Sequence, residues 1–516
     1  MFWTDELIKD ILKKSDKDFY LINDSTTPSG HAHVGSLRGI ILHELMKVGL
    51  EDKNKKTLFQ FGFDYFDPMY GLPTYVDQSF EKYMGLPLTN VPAPDGKHHN
   101  FAEQYSDELK KVIEYLGIKP EYYHTTQLYK EGKFNDSIKV VLDNAGEIRN
   151  IYKEVSGSDK GSDWYPLQVV CPKCGKIGTT RVTGWDGKEV EFECMENLVD
   201  WATGCGHKGK ISPFNGNSKM PYKVEWPSKW NFMKIDIEGA GKDHTAAGGT
   251  RDVANRIYRE VFQKEPPIDA PYEHILIGGK KMSSSKGLGV TSSQMADLLP
   301  ANILKFLFTR TKYKRAIEFN PEGDTIPLIY DEYDRCAKAF QEKSDLDKVR
   351  AYYYTEKDLE KDLPKYLMRF SKIANFLQMP KVNILEYAKE EKGTDLSDSE
   401  KNEIENRITV AKKWLQNYAP ESVKFTIQEN LPDIKLNDEQ KTFLTKIAEA
   451  ISQKEKWTGE ELHAKIHEIK TEMNIAPKDA FSAIYLSFLG KDSGPQAGWL
   501  LASLDKDFVE IRLKEV

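Results

Sequence analysis

The 516-residue sequence contains few cysteines and no long apolar run. A membrane-spanning helix needs roughly 20 mainly apolar residues in a row, and no stretch approaches that length. The N-terminal segment Met1–Glu6 is acidic, unlike a signal peptide. Five cysteines, four of them clustered, do not indicate a disulfide framework in a chain of this size. We therefore expect a soluble cytoplasmic protein.

Tandem repeats, heptads and low-complexity tracts are also missing, as is a Walker-type phosphate-binding motif, which disfavours a P-loop enzyme. The net charge of −7 argues against indiscriminate nucleic-acid binding, although a local basic groove can still bind RNA. With 39% apolar residues the chain can bury a core, and its length predicts three or four structural units.

The most informative stretch is a turn at Pro28–Ser36, between a predicted strand and a predicted helix. Phe19–Ile22 is an apolar run typical of a buried strand, and apolar residues from Leu37 to Gly49 follow helical spacing. Glycine lets a backbone approach a ligand closely, and a helix N-terminus favours phosphate. A histidine in such a turn, here His33, can donate a hydrogen bond to a phosphoryl oxygen.

Strands and helices alternate through the region that follows. Thr57–Phe63 is a predicted strand, and the carboxylates of Asp64–Pro68 directly after it indicate the functional edge of a sheet, or else a solvated turn. Helical spacing marks Tyr105–Leu116 and Ile138–Ile148. The alternation predicts a doubly wound parallel α/β sheet.

The α/β pattern is interrupted by a cysteine cluster. Cys171 and Cys174 form a knuckle, and Cys194 and Cys205 follow, with His207 as the alternative ligand for one position. Thiolates with this spacing are typical of a tetrahedral zinc site, and an iron–sulfur cluster is the less favoured metal centre. Because no coordination position is open, we expect a structural zinc.

The pattern resumes with Val224–Trp230 and Ile235–Ile237, followed by a glycine-rich turn at Gly239–His244. We interpret these residues as a strand and a turn with a carboxylate, and we expect a helix through Val253, Ile257 and Val261 after Gly248-Gly249. An aspartate at a strand end, here Asp243, can accept hydrogen bonds from ribose hydroxyls, which suits an adenosine site.

The loop Lys280–Gly289 is rich in serine and glycine and contains three lysines. It lies between a predicted strand, Ile275–Ile277, and a helix that Thr291 and Gln294 are expected to open as a capping box. Its lysines could place positive charge on a triphosphate, since reactions at phosphorus depend mainly on positioning and charge. A solvated basic loop is the alternative interpretation.

Strand signals nearly vanish after Asp331, and we predict an all-helical domain over 331–516. An apolar stripe from Phe481 to Phe488 precedes Gly490. The residue pairs expected to open helices are Ser397 with Glu400, Asn437 with Gln440, and Thr458 with Glu461.

Two motifs, in this order, resemble the signatures of class I aminoacyl-tRNA synthetases. His33-Val34-Gly35-Ser36 is similar to the "HIGH" signature, and Lys281-Met282-Ser283-Ser284-Ser285, followed by Lys286, is similar to "KMSKS". Ser36 and Ser284 stand where many members have histidine and lysine. Further stretches resemble the lysyl branch of this family: Asp64–Pro68, Gly85–Pro92, the cysteine segment, Val224–Trp230, Gly241–His244 and Gly490–Pro495.

The resemblance implies a Rossmann-type catalytic domain with a zinc-ribbon-like insert, followed by an all-helical anticodon-binding domain. The corresponding division is 1–163 for the first half of the catalytic domain with its connecting insertion, 164–212 for the insert, 213–330 for the second half, and 331–516 for the helical domain. It also implies an ATP-dependent ligase that activates L-lysine and transfers it to tRNA(Lys), with Mg²⁺ and Zn²⁺ as cofactors and a monomer as the default state.

The resemblance implies catalytic roles for His33, Lys281 and Lys286. The implied ATP-binding residues are Pro28, Gly30, His33, Gly35, Ser36, Gly241, Asp243, His244, Lys281, Met282, Ser283, Ser284, Ser285 and Lys286. For the amino acid it implies Gly30, His244, Tyr272 and either Trp226 or Trp230. Because a buried cation needs carboxylates or aromatic faces around it, we add Asp64, Asp67 and Glu225. The expected zinc ligands are Cys171, Cys174, Cys194 and Cys205.

Three other functions remain open at this point. A glutamyl- or glutaminyl-type enzyme would need arginine in the amino-acid pocket, and Arg38 is the only arginine near the first signature. A non-catalytic RNA-binding paralogue would have no reason to keep His33, Lys281 and Asp243 together. A different adenylyl-forming transferase would not need the long helical region, which suits RNA binding.

Overall fold

The computed structural model describes residues 1–277, 290–357 and 362–516. These residues divide into two compact units. The first unit contains the described residues of Met1–Phe319 and Cys336–Glu360, and the second contains those of Asn320–Arg335 and Lys361–Val516. Among the described ranges, no helix has both the length and the apolar character needed to cross a membrane.

Helices and short strands alternate in the first unit. Its strands are β1 Phe19–Thr26, β2 Lys56–Phe63, β3 Glu121–His124, β4 Gln168–Val169, β5 Thr180–Trp185, β6 Val190–Cys194, β7 Lys208–Ile211, β8 Ser218–Lys219, β9 Ile275–Ile277 and β10 Ile317–Phe319. Its helices are α1 Trp3–Lys14, α2 Ser36–Glu51, α3 Phe101–Tyr115, α4 Thr125–Lys130, α5 Asn135–Asp143, α6 Ala145–Ser156, α7 Tyr222–Met233, α8 Lys242–Thr245, α9 Thr250–Glu260, α10 Ser292–Leu298 and α11 Ala301–Thr309. Helix α12, Thr325–Glu342, has residues in both units, and α13, Leu346–Glu356, belongs to the first.

A parallel sheet organises the first unit. β1 pairs in parallel with β2, and β2 pairs in parallel with β3. The register aligns Thr26 with Phe63, so both strands end at one edge. Backbone bridges from Ile22 to Ile237 and from Ile237 to Ile268 extend the parallel arrangement beyond β1. The predicted parallel α/β sheet is therefore confirmed.

One predicted helix is two helices in the structure. The apolar spacing predicted a single helix over Ile138–Ile148, whereas α5 ends at Asp143 and α6 begins at Ala145. Asn144 lies between them with φ −108° and ψ 24°, outside the helical region. The same apolar spacing continues on both sides because both helices bury one face in the same core.

The segment Val224–Trp230 is helical rather than part of a strand pattern, because it lies inside α7. Valine and tryptophan favour strands on average, but β-propensity depends strongly on what the side chains pack against. Here the ring of Trp230 packs edge-on against Tyr258 of α9, with 5.4 Å between ring centroids. Glu225 therefore lies in the first turn of a helix and not near a strand end.

The cysteine-containing insert forms small antiparallel sheets. β5, β6 and β7 form one sheet, and β4 pairs with β8. Cys194 ends β6, and the chain from Cys205 leads into β7. The hairpin therefore brings cysteines that are distant in sequence towards the Cys171–Cys174 knuckle.

The second unit is helical in its described part. Its helices after α12 are α14 Phe370–Phe376, α15 Ile384–Lys392, α16 Asp398–Asn417, α17 Asp438–Ser452, α18 Gly459–Glu472, α19 Pro477–Leu489, α20 Ala497–Ser503 and α21 Lys506–Glu515. The three predicted capping boxes are confirmed at the starts of α16, α17 and α18. Gly490 ends α19 with φ 66°, a left-handed conformation that glycine adopts without strain.

Candidate active site

A cavity of about 250 Å³ opens at the carboxyl edge of the parallel sheet. Its wall combines the end of β1, the turn before α2, the start of α7 and the glycine-rich turn before α8. Ligands of open α/β sheets bind at this edge. The lining residues are Asp24, Ser25, Thr26, His33, Gly35, Ser36, Arg38, Phe61, Tyr222, Trp226, Glu238, Gly239, Ala240, Gly241, Asp243, His244, Tyr272, Glu273, His274 and Ile275.

The first signature turn contributes one side of this cavity. Gly35 precedes α2, and a Cβ atom added there would lie 2.7 Å from two ring atoms of His33. Pro28 and Gly30 line a neighbouring recess of about 20 Å³, which shares Ser36 with the main cavity. Gly30 has φ 153°, a value that residues with a side chain rarely adopt. The structure thus places His33, Gly35 and Ser36 on the main cavity, and Pro28 and Gly30 beside it.

The second signature lies outside the described residues. The predicted site residues affected are Lys281, Met282, Ser283, Ser284, Ser285 and Lys286. The described segment that follows contacts the first signature turn: the N–H of Val34 donates to the carbonyl of Val290 at 3.0 Å, and the N–H of Ser292 donates to the carbonyl of Ala32 at 2.8 Å. The capping box predicted for Thr291 and Gln294 is confirmed at the start of α10.

The glycine-rich turn forms another side of the cavity. Gly241 pairs with Tyr272 in a parallel bridge, and the N–H of Lys242 donates to the Tyr272 carbonyl at 2.9 Å. Asp243 follows, with its Oδ1 3.2 Å from Nε2 of His274. The ring of His244 lies 5.6 Å from that of Tyr222, measured between centroids. Gly241, Asp243, His244 and Tyr272 are therefore brought together around the same cavity.

The two tryptophans of α7 have different positions. Trp226 lines the cavity, whereas Trp230 is fully buried behind it. Both indole N–H groups donate to Oε2 of Glu238, that of Trp226 at 2.8 Å. The Arg251 guanidinium lies over both rings, 5.0 and 4.6 Å from their centroids. Trp226 can therefore contact a ligand, and the buried Trp230 helps to hold Trp226 in position.

The structure does not bring Asp64, Asp67 and Glu225 to the cavity, because the chain's own lysines hold them. Lys219 Nζ lies 2.9 Å from Asp67 and 2.6 Å from Glu225. Lys229 Nζ lies 3.4 Å from Asp64. Burial of Lys219 is outweighed by the two carboxylates, which raise its pKa. These acidic groups are thus already paired with cations inside the fold.

Asp24, which was not among the predicted site residues, is the carboxylate that β1 presents to the cavity. Its side chain is 13% exposed, its Oδ1 accepts the Ser25 N–H at 2.9 Å, and its Oδ2 lies 3.4 Å from Nδ1 of the buried His43. Burial opposes the charge on His43, but Asp24 overcomes this and raises the pKa of His43. The polar run after Ile22 was the available signal, because β1 continues through it to Thr26.

Tyr272 and Asp24 approach each other over the backbone of Gly39. A Cβ atom at Gly39 would lie 2.5 Å from the Tyr272 hydroxyl oxygen and 2.7 Å from Oδ2 of Asp24. Any residue larger than glycine would therefore displace both groups. This end of the cavity combines an acidic group with the aromatic walls of Trp226 and Tyr272, which suits a cation.

Arg38 borders the cavity but is committed to the backbone. Its guanidinium donates to the carbonyls of Phe308 at 2.9 Å, Thr311 at 3.2 Å and Lys312 at 3.0 Å. Burial lowers the pKa of Arg38 to about 10. The arginine that a glutamyl-type pocket would have required therefore has a structural role.

The four cysteines of the insert converge, with all their sulfurs within 4.8 Å of one another. Sγ of Cys171 lies 3.6 Å from that of Cys205, and Sγ of Cys174 lies 3.7 Å from that of Cys194. Thiolates about 2.3 Å from a tetrahedral zinc would be roughly 3.8 Å apart, so the donor set fits zinc. His207 contributes no ligand atom to this group; its carbonyl accepts the Cys194 N–H at 2.8 Å.

Comparison with known proteins gives a consistent result along the chain. A family model described as tRNA synthetases class I (K) matches residues 1–358, and one described as an anticodon binding domain matches residues 403–516. A lysine–tRNA ligase of Methanosarcina barkeri strain Fusaro is 33% identical, covering 99% of this chain and 97% of its own length. A lysine–tRNA ligase of Archaeoglobus fulgidus is also 33% identical, covering 100% of this chain and 99% of its own.

Proposed function

This chain belongs to the class I (K) tRNA synthetases, and we propose that it is a lysine–tRNA ligase. It activates L-lysine with ATP to form lysyl-adenylate and pyrophosphate, then transfers the lysyl group to the 3′ end of tRNA(Lys). The observation that supports this most strongly is the cavity itself, in which the glycine-containing turn before α2, a geometry suited to phosphate, shares one space with an acidic, aromatic end. Lysine–tRNA ligases that are 33% identical over nearly the whole chain support the same assignment.

The phosphate side of the reaction is assigned to the first signature turn. The lysine carboxylate attacks the α-phosphorus of ATP in line, and pyrophosphate leaves. His33, Ser36 and the N-terminus of α2 stabilise the negative charge that develops on the phosphoryl oxygens. Gly35 keeps the backbone close enough for this contact. ATP enters as its Mg²⁺ complex, and the resemblance assigns Lys281 and Lys286 to its outer phosphates.

The adenosine and the amino acid occupy the opposite sides of the same cavity. Gly241 and Asp243 bind the ribose; Asp243 lies in the first turn of α8 rather than in a strand, directly after the parallel bridge of Gly241 to Tyr272 at the carboxyl edge of the sheet. Trp226, Tyr272 and His244 surround the aliphatic part of lysine. Asp24 takes the role of ammonium partner that the sequence had suggested for Asp64, Asp67 and Glu225, because those three are paired with Lys219 and Lys229.

The second step needs the tRNA. The 2′-hydroxyl of the terminal adenosine attacks the carbonyl carbon of lysyl-adenylate, and AMP leaves. The helical second unit binds the anticodon, in line with the family model that matches residues 403–516. The cytoplasmic location, the monomeric state and the domain limits at 163, 212 and 330 remain predictions.

The test is ATP–pyrophosphate exchange with each amino acid separately, with and without unfractionated tRNA. We expect exchange with lysine in the absence of tRNA, because every group assigned to lysine and ATP comes from this chain. Exchange with glutamate would transfer the assignment to a glutamyl-type enzyme. Silence with all amino acids and tRNA would favour an RNA-binding paralogue.

We also propose that Cys171, Cys174, Cys194 and Cys205 hold a structural Zn²⁺. Bound there, the metal would join the knuckle to the β6–β7 hairpin and stabilise the insert. The Cys174→Ser variant is expected to lose the zinc and to melt at a lower temperature than the wild type.

Zinc content is measured by atomic emission on the purified protein, and melting by circular dichroism. Cys336→Ser is the matched control, since Cys336 is buried outside the cluster; it should keep one zinc per chain. A wild-type protein purified without chelators that contains no zinc, and melts like Cys174→Ser, would contradict the proposal.

A further inference from the structure

A buried histidine that no step above uses connects three elements around the main cavity. His43 lies on α2, its side chain is fully buried, and it stands behind the cavity wall rather than on it. The same helix begins at Ser36 of the first signature turn and carries Gly39, over which Asp24 and Tyr272 approach each other. Because the ring cannot reach a substrate, any effect of His43 on the reaction must pass through the groups that it contacts.

One ring nitrogen faces the acidic, aromatic end of the cavity, which is assigned to lysine. Nδ1 of His43 lies 2.7 Å from the Gly39 carbonyl oxygen and 3.4 Å from Oδ2 of Asp24. The other oxygen of this carboxylate, Oδ1, already accepts the Ser25 N–H. Nδ1 therefore contacts both the backbone and the carboxylate oxygen that shape this end of the cavity.

The opposite ring nitrogen faces the glycine-rich turn, which is assigned to the ribose. Nε2 of His43 accepts the Gly239 N–H at 2.8 Å. One residue earlier, the N–H of Glu238 donates to the backbone carbonyl of Ile268 at 3.1 Å. At Gly239 the histidine ring takes the place of such a carbonyl, so the course of the chain towards Asp243 depends on this ring.

These contacts also assign the proton on the ring. Since the Gly239 N–H can only donate, Nε2 carries no proton, and Nδ1–H donates to the Gly39 carbonyl. Burial opposes a second proton on His43 and Asp24 favours it, with a net rise in the pKa, but that proton would have to sit on Nε2 against the Gly239 N–H. While the bond to Gly239 is intact the ring is neutral, and the charge of Asp24 stays available for the ammonium group of a substrate.

We infer that His43 is a positioning residue that couples the lysine end of the cavity to the ribose end. Nδ1 holds Gly39 and Asp24 at the first end, and Nε2 holds Gly239 at the second. The inference rests on the proposed function, because that function assigns the two substrates to the two ends. A ring that only filled the core would affect both substrates alike, whereas a bridge can be broken at either end.

The test breaks one half of the bridge at a time and measures both KM values in lysine-dependent ATP–pyrophosphate exchange. The amide of glutamine reaches the position of Nε2, so His43→Gln keeps an acceptor for Gly239 but loses the group beside Asp24. Its KM for lysine should rise about tenfold, the size of effect expected from one lost hydrogen bond. Its KM for ATP should stay near the wild-type value.

The amide of asparagine reaches the position of Nδ1 instead. His43→Asn therefore keeps the group beside Gly39 and Asp24 but loses the acceptor for Gly239. Its KM for ATP should rise about tenfold, and its KM for lysine should stay near the wild-type value. His43→Leu removes both halves of the bridge and should raise both KM values.

Phe59→Leu is the control for packing. The Phe59 ring is buried and stacks on that of His43, with 6.0 Å between centroids and 16° between planes. Losing part of this ring should lower the melting temperature, measured by circular dichroism, and leave both KM values unchanged. The control therefore shows what a loss of packing around His43 does by itself.

The crossed pattern in His43→Gln and His43→Asn decides the inference, whether or not His43→Leu folds. Equal rises of both KM values in these two variants, in step with their melting temperatures, would make His43 a core residue only. Unchanged KM values in both, or the reverse pattern, would also overturn the inference while leaving the proposed function standing. Absence of exchange in the wild type would instead remove the proposed function, and the inference with it.

Discussion

Replacing His33 with alanine should reduce the maximal rate of lysine-dependent ATP–pyrophosphate exchange by about 10²–10³-fold, the usual cost of removing one pre-positioned donor from a developing oxyanion. His33 lines the cavity at the turn before α2, and Gly35 packs directly against its ring. The donor is thus held in place before the substrate arrives. Because its contact strengthens in the transition state, the KM for lysine should change little.

His31 is the matched control for this variant. It lies in the same turn, but its Nδ1 contacts Glu108, its backbone N–H donates to the Tyr75 hydroxyl at 2.6 Å, and it does not line the main cavity. His31→Ala should therefore reduce exchange by far less than His33→Ala. If His33→Ala keeps wild-type exchange while His31→Ala loses it, the phosphate role belongs to His31.

Features that depend on residues close together in the chain could be predicted from the sequence. The signature turn, the capping boxes at Ser397, Asn437 and Thr458, and the cysteine knuckle each depend on spacing within a few residues. The sheet could also be predicted, because an apolar run bounded by turn residues fits few structures other than a strand. These predictions agree with the structure because the local geometry that each pattern requires is the geometry that forms.

The residues that form the amino-acid pocket could not be predicted from local spacing. Asp64, Asp67 and Glu225 suggested a cation site, and each does meet a cation, but that cation is Lys219 or Lys229 of the chain itself. Which lysines are buried depends on contacts between distant segments. Lysine is rarely buried, so an internal partner was not expected. Because these three carboxylates are paired with lysines of the chain, the next acidic group at the sheet edge, Asp24, becomes the candidate partner for the ammonium group of the substrate lysine.

That group gives the second large prediction. Asp24→Asn should raise the KM for lysine in pyrophosphate exchange by roughly 10²-fold or more, the usual consequence of truncating one partner of a largely desolvated charge pair. The KM for ATP should stay near its wild-type value, because no assigned phosphate or ribose contact involves Asp24. Norleucine has the lysine side chain without its ammonium group, so its KM should rise much less in Asp24→Asn. The preference for lysine over norleucine should therefore become smaller in this variant.

Two further variants decide whether the acidic end of the cavity is the lysine site. Gly39→Ala places a methyl group 2.5 Å from the Tyr272 hydroxyl and 2.7 Å from Oδ2 of Asp24, so it should raise the KM for lysine without removing any charge. Asp67→Asn should lower the free energy of unfolding, because it weakens the pairing of buried Lys219, and leave the KM for lysine unchanged.

A different result would move the assigned lysine site. If the KM for lysine rises in Asp67→Asn but not in Asp24→Asn, the ammonium group of lysine binds the carboxylates around Lys219. Unaltered kinetics in both Asp24→Asn and Gly39→Ala would place the lysine side chain elsewhere in the cavity.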